Sequence, residues 1–358
     1  MVKRIGAIKL PINRLHMELT SACNFSCEFC PDSGMKRERG MMSLDMAKSI
    51  LDEVSSFGGI NMVLFHVMGE PTLHPNMLEI AEYAFSRKID VCLTTNGSSL
   101  NRDLVYDLQS AGVRHVIVSL QTPDEQTFAM RGAKGISFDE YTDRITSAIK
   151  AVINENMKIE FTLSFLSSPL RRLIIPIAKE FSIADTSKKL REYLRLWTER
   201  IMNGTQIENR KADVLKKIKR ARSFSQNKIN LTDTLSFQTR IVGDWGTHFD
   251  KKLVKAKFGF CPGLQENFGI LWNGDYVFCC TDHEGKTSTA NFRDKTIKEY
   301  LSSEAVQKTV RAMQKFRIIN DYCQYCMGDT SHLNSLVKQI GSVLYFKTLS
   351  RNIHNHIF

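Results

Sequence analysis

No stretch of this 358-residue sequence approaches the roughly 20 uninterrupted apolar residues of a membrane-spanning helix. The first ten residues carry Lys3, Arg4 and Lys9 but no apolar run, so they do not read as a secretory signal. There is no internal repeat and no low-complexity tract. Hydrophobic residues at 42% and charged residues at 24% exclude a disordered, collagen-like or coiled-coil chain. What is left is a globular protein, expected in the cytoplasm. Its length suits about two domains, or one large α/β domain with an appendage.

Against these absences, cysteine is abundant. Nine are present, at positions 23, 27, 30, 92, 261, 279, 280, 323 and 326. In a reducing compartment, clustered cysteines point to metal binding or catalysis rather than to disulfides. Positive charge is also in excess, and it is local. Between Pro176 and Lys257 there are 19 Lys plus Arg against 9 Asp plus Glu, so this stretch supplies nearly all of the net +11. It reads either as a solvated helical hairpin or as a site for an anionic substrate or an anionic membrane surface. No nucleic acid is expected, because the basic residues lack the aromatic interleaving of a single-strand binder.

Residues 15 to about 165 alternate short apolar runs with helical patterns. Leu15–Thr20, Met62–Val67, Asp90–Thr95, His115–Leu120 and Lys158–Phe165 read as strands. Ser43–Ser56, Asn76–Ser86, Leu104–Ser110 and Phe138–Asn156 read as the helices between them, the first capped by Ser43. The alternation predicts βαβ units and a parallel sheet, with the chemistry at the carboxyl ends of the strands. From Arg171 to Phe258 the strand rhythm fades, and Leu190, Leu194, Trp197 and Ile201 recur at helical spacing. His332–Leu349 reads as an amphipathic helix weakened by Gly341. The expected units are residues 1–170, a basic and mainly helical 171–258, a Cys-rich 259–330, and a terminal helix in 331–358.

The strand Leu15–Thr20 runs directly into Cys23-x3-Cys27-x2-Cys30. Three thiolates in one loop can hold three irons of a [4Fe–4S] cube and leave the fourth iron open. A zinc loop completed by a distant ligand is the alternative, but zinc favours C-x2-C pairs. The triplet after the first strand of a β/α chain resembles the radical S-adenosylmethionine (SAM) superfamily. Met68-Gly69-Glu70-Pro71 after the second strand is similar to that family's Gly-Gly-Glu-type motif, with Met68 in place of the first Gly. Thr95-Asn96-Gly97 after the third resembles its T-N-G turn, and Ser119-Leu120-Gln121 ends the fourth, with Gln121 where many relatives carry Asp.

The resemblance implies a partial (β/α)6-type barrel and a SAM-binding [4Fe–4S] cluster on Cys23, Cys27 and Cys30. It also implies reductive SAM cleavage to a 5′-deoxyadenosyl radical that abstracts a substrate hydrogen. Phe29 would then meet adenine, Gly69 and Glu70 the SAM amino group, and Ser119 the ribose or carboxylate. Arg131 is a candidate for the carboxylate, where a guanidinium fork is apt.

A second set is Cys261, Cys279 and the pair Cys323-x2-Cys326. Four thiolates close a metal site completely, and the spacing leaves both an iron–sulfur cluster and a zinc ribbon open. Cys261-x12-Gly274-x4-Cys279 resembles the SPASM domain found at the C-terminus of many radical SAM enzymes. No cysteine follows Cys326, which resembles the shortened, twitch-like version with one auxiliary [4Fe–4S] cluster. The family spacing picks Cys279 over Cys280, and neighbours in a strand point to opposite faces. Cys92, in an apolar run, reads as a core residue.

What this resemblance implies is oxidation of a small anionic or sugar-like metabolite, with the auxiliary cluster accepting an electron and flavodoxin or ferredoxin supplying one. A peptide-modifying maturase is the alternative, disfavoured because the barrel begins by residue 15. A non-catalytic protein with two structural metal sites is the third reading. Asp244 and His248, flanking Trp245, are candidates for the substrate base, or else a surface turn. His66 reads as facing the barrel interior or as a satisfied core histidine. The basic insert and the terminal helix together suggest peripheral contact with anionic lipid.

Overall fold

The computed structural model describes residues 3–168, 182–242 and 252–349. Asp244, Trp245 and His248 lie outside the described residues. A small hairpin, Arg4–Ile5 with Ile8–Lys9, precedes the main sheet. The sheet strands are β1 (Arg14–Met17), β2 (Val63–Phe65), β3 (Val91–Thr95), β4 (Val113–Gln121) and β5 (Glu160–Ser167). Then follow β6 (Asn227–Asn230), β7 (Leu235–Ile241), β8 (Asn267–Ile270) and β9 (Tyr276–Val277). Their order is β9-β8-β1-β2-β3-β4-β5-β7-β6, with antiparallel pairs only at the two edges.

The five strands read from the sequence are β1 to β5, each within a few residues of its expected bounds. Helices α1 (Leu44–Phe57), α2 (Met77–Ser86), α3 (Arg102–Ser110) and α4 (Phe138–Asn154) connect them. Ser43 caps α1 as expected, its hydroxyl accepting from the Met46 N–H. Ala47, Ile50, Leu51 and Val54 form the buried face of that helix. Strand residues alternate between this outer core and the barrel lumen. Cys92 points inward and is buried with Leu64 and Ile117.

Two differences from the sequence reading matter for the site. The stretch 182–242 is not only helical. Helices α5 (Ser187–Met202) and α6 (Lys211–Ile218) are followed by the hairpin β6–β7, and β7 pairs parallel with β5 as a sixth barrel strand. Its run Leu235–Ile241 alternates with Ser, Gln, Thr and Arg, so it carries no long apolar signal. The Cys-rich segment, read as a unit of its own, joins the same sheet. Its strand β8 pairs parallel with β1, Asn267 beside Arg14 and Ile270 beside Met17.

Helix α5 seals the barrel wall. Trp197 is fully buried, packs edge-on against Phe165 and donates its indole N–H to Pro123 O at 3.0 Å. The terminal helix runs His332–Leu344, shorter than read, and a π-turn follows over Tyr345–Leu349. It leaves Leu333, Leu336, Val337, Ile340 and Leu344 exposed. Among the described residues no helix is long and apolar enough to cross a membrane.

Acid should loosen the barrel through its buried histidines. His115 on β4 has its Nε2 2.9 Å from Thr162 Oγ1, and burial pushes its pKa down to about 4. An unfolded histidine titrates near 6.5. The unfolded chain therefore binds the extra proton first, and stability falls as pH drops from about 6.5 toward 4. His115→Gln should flatten the stability slope between pH 6 and 5 by about 1 kcal/mol per pH unit relative to wild type. Urea unfolding across that range checks it, and parallel slopes would reject it.

Candidate functional site

The carboxyl ends of the strands converge on a cavity of about 160 Å³. Cys23, Cys27 and Cys30 all line it, on the loop that leaves β1. No cysteine of the chain is in a disulfide. Burial pushes the Cys23 thiol up to about 11 and the Cys30 thiol to about 12. Thiolates at these positions therefore need a compensating cation nearby. Backbone and amide donors already aim at sulfur: Phe25 N lies 3.5 Å and Asn96 Nδ2 3.8 Å from Cys23 Sγ. Among the described residues no three His, Cys, Asp or Glu side chains form a single-ion site. Three thiols on one wall, with N–H groups turned to sulfur, fit an iron–sulfur cluster.

Phe29, Gly69, Glu70, Ser119 and Arg131, the five residues read as SAM contacts, line the same cavity. Their geometry also gives them local work. Gly69 has φ +75°, and a Cβ there would collide with the Thr20 and Ala22 carbonyl oxygens. The glycine is needed so that the turn after β2 can lie against the cluster loop. Glu70 donates its own N–H to Ala22 O at 2.8 Å. Its Oε1 accepts from Thr72 and Thr95 hydroxyls, and its Oε2 accepts from Asn96 N at 2.5 Å. Burial raises the Glu70 carboxyl, while these donors favour the charged form.

Arg131 is buried with its guanidinium 4.9 Å from the Phe25 ring centroid. Its Nη1 donates to Ser119 O at 2.7 Å and Leu120 O at 2.6 Å, holding the end of β4 where the sheet register shifts. Gln121, also on the cavity wall, adopts a left-handed φ of +55° there.

Of two further residues of the site, the sequence reading placed one only as part of a turn and missed the other. Asn96 bridges Cys23 to Glu70, and its carbonyl accepts from Tyr141 at 2.7 Å. Glu18 is fully buried beyond β1 and is ion-paired to Arg37 at 2.5 Å. It also accepts from Met68 N and from Trp272 N, so one carboxylate ties the cluster loop, the Gly69 turn and the C-terminal region together. The available signal was an acidic residue inside an apolar strand run. Arg37 further donates to His283 O, and the Lys36 and Arg37 amides donate to Glu284.

The second cysteine set gathers on the far side of β8. Cys279 lies among Cys261 and Cys326, and Cys323 lies among the same two. Gly263 N points to Cys261 Sγ at 3.5 Å, and Thr281 Oγ1 is 3.0 Å from Cys279 Sγ. Cys280 lies near Arg14 and Arg240 and also bears on Cys261, Cys279 and Cys326. Four half-buried thiols, two of them with polar groups at sulfur, again suit a cluster.

The model of the radical SAM superfamily matches residues 17–163, and that of the SPASM iron–sulfur cluster-binding domain matches 261–327. Residues 17–163 are a radical SAM domain. Membership brings a SAM-binding [4Fe–4S] cluster and SAM to the first domain, and an auxiliary iron–sulfur cluster to the SPASM domain. The chain is 33% identical over 106 residues to the tungsten-containing aldehyde ferredoxin oxidoreductase cofactor-modifying protein of Pyrococcus furiosus, covering 30% of each. It is 34% identical over 123 residues to the mycofactocin maturase MftC of Mycobacterium ulcerans, covering 33% of this chain and 32% of that one. The chain spans about half or less of the length of the curated relatives it matches. Among solved structures, Streptococcus suis SuiB superposes with a TM-score of 0.56 at 16% identity, over 93% of this chain and 72% of SuiB. That likeness concerns the fold.

Gly69→Ala tests the fit between the turn and the loop. The added methyl has no room and the backbone no left-handed glycine. The variant is expected to lose about 2 to 4 kcal/mol of stability and to bind its first cluster poorly. Unfolding and iron content measure both, and a fully loaded, equally stable variant would disprove the steric account.

Proposed function

We propose that this radical SAM protein cleaves SAM reductively and abstracts a hydrogen from a small anionic or sugar-like metabolite, which it oxidises. The reading rests on the cavity at the strand ends, which the cysteine triplet and the five predicted SAM contacts all line. When bound, the first cluster supplies the electron that splits SAM into methionine and the 5′-deoxyadenosyl radical. The chain's residues hold the reactants. Glu70, fixed by Thr72, Thr95 and Asn96, presents a rigid carboxylate to the SAM amino group. Arg131 holds the β4 end, so Ser119 keeps its place toward the ribose or carboxylate.

The second cysteine set gives an electron a place to go after hydrogen abstraction, which favours oxidation over a redox-neutral outcome. The likeness to a mycofactocin maturase supports a second reading, a peptide substrate. Substrate-free incubation with SAM and dithionite should release 5′-deoxyadenosine. A deuterated substrate of the right class should pass its label into that product. No 5′-deoxyadenosine from a protein with both clusters loaded would sink the enzymatic reading. Label transfer only from peptides would move it to the maturase alternative.

A further inference from the structure

We infer that the barrel lumen next to the cluster cavity holds a subsite for an anionic group of the substrate, a phosphate or a carboxylate, built on Arg14 and Arg240. The inference rests on the proposed radical SAM reading, because it takes the lumen as the substrate chamber. Four observations place the two arginines there. On β7, Arg240 lies opposite Leu166 and two positions before Val242 on the same face, and both of these line the cluster cavity. On β1, Arg14 shares its face with His16, whose Nδ1 is 3.2 Å from the backbone oxygen of His66, another cavity residue. These strands stand far apart in the sheet order, yet Arg14 and Arg240 both bear electrostatically on Cys92, on Cys280 and on His16. Only the curl of the sheet can bring them to one chamber. Finally, Arg240 is solvent-exposed, so its guanidinium is open to an anion from solution.

The charge balance favours an anion. Glu266 stands beside Arg14, and Glu160 bears on Cys92. Among the described residues no carboxylate bears on Arg240, whose hydrogen bond is to Gln238 Oε1 at 3.2 Å. His16 and His66 are held neutral, with pKa values pushed down to about 3 by burial and then by neighbouring positive charge. They add hydrogen-bonding groups to the chamber but no charge. Two guanidinium groups of like charge in one chamber repel each other, and a shared phosphate or carboxylate would relieve that repulsion through paired N–H donors. The remaining walls are mixed: Thr162, Ser164, Ser236 and Gln238 are buried polar side chains, and Leu64, Cys92 and Ile117 form an apolar patch. An anion seated between the arginines would leave the rest of the substrate directed toward the cluster cavity.

The test uses the holoenzyme with both clusters and SAM, and two probes, inorganic phosphate and malonate, at ionic strength fixed with sodium chloride. In the wild type one of them should raise the melting temperature saturably. Arg14→Gln and Arg240→Gln should each weaken that apparent Kd by about ten-fold or more, and Arg240→Lys by less. Tighter phosphate would assign a phosphorylated substrate, and tighter malonate a carboxylated one. No saturable effect of either probe, or unchanged affinity in both Gln variants, would overturn the subsite. If the variants fail to load iron, the wild type decides. Alkylation of Cys280, the lumen thiol, should slow with the bound anion, and equal rates would overturn the proposal. Failure of the radical SAM reading shows itself separately, as absent 5′-deoxyadenosine with anion binding intact.

Discussion

Replacing Cys23, Cys27 and Cys30 together with alanine should lower the iron of the anaerobically prepared protein from about eight to about four per chain. It should also abolish 5′-deoxyadenosine formation, a loss of at least about a thousand-fold. The effect is this large because no other described side chain can substitute. Cys92 is buried on the lumen side among Leu64 and Ile117, and the remaining cysteines belong to the C-terminal set or face the arginines. Folding should survive, since the three thiols are only partly buried and β1 is held by β8 and β2 on its two sides. Iron and sulfide analysis with parallel zinc determination checks the claim. About four irons and one zinc in the wild type would keep the SAM chemistry and remove the electron acceptor, which favours a redox-neutral reaction. Zinc in both places would leave a non-catalytic metal protein.

The second large effect separates two adjacent residues. Cys279→Ser should lose the auxiliary irons, about four per chain, and stop any oxidation that depends on them, while 5′-deoxyadenosine still forms. Cys280→Ser should keep all of its iron. The difference follows from surroundings: Cys279 lies by Thr281 and, with Cys261, by Gly263, whereas the charges that bear on Cys280 are Arg14 and Arg240. Electron paramagnetic resonance of the reduced variants reads it out, and equal iron loss in both would refute the assignment.

How much of this could be read from the chain alone varies from place to place. Strands β1 to β5 and their helices announced themselves because each buries one apolar face at a fixed period. The cysteine triplet was legible because its ligands are consecutive in one loop. Strand β7 was not, since its inward residues are Ser, Gln and Arg, chosen for a lumen rather than for a core. The docking of β8 on β1 was invisible for a different reason. Pairing between distant segments leaves no local pattern. Glu18 was missed because it acts through partners that come from separate loops, and Asn96 was legible as part of its turn but not as the bridge between Cys23 and Glu70. Asp244 and His248, outside the described residues, remain candidates from sequence only.

The pairing of Arg14 with Asn267 joins positions separated by most of the chain. Gln307 likewise accepts from Ala7 N and donates to Ile5 O. Such contacts are slow to form, because a long loop must close before any of them is gained. On a ribosome, the first cluster loop therefore emerges long before the strand that braces β1 has been made. Iron delivered early would meet an unbraced loop with three exposed thiols. Maturation of this protein is thus expected to be post-translational, with the C-terminal strand docking before the first cluster is retained. A chain cut short before Asn267 should be found without iron as well as misfolded.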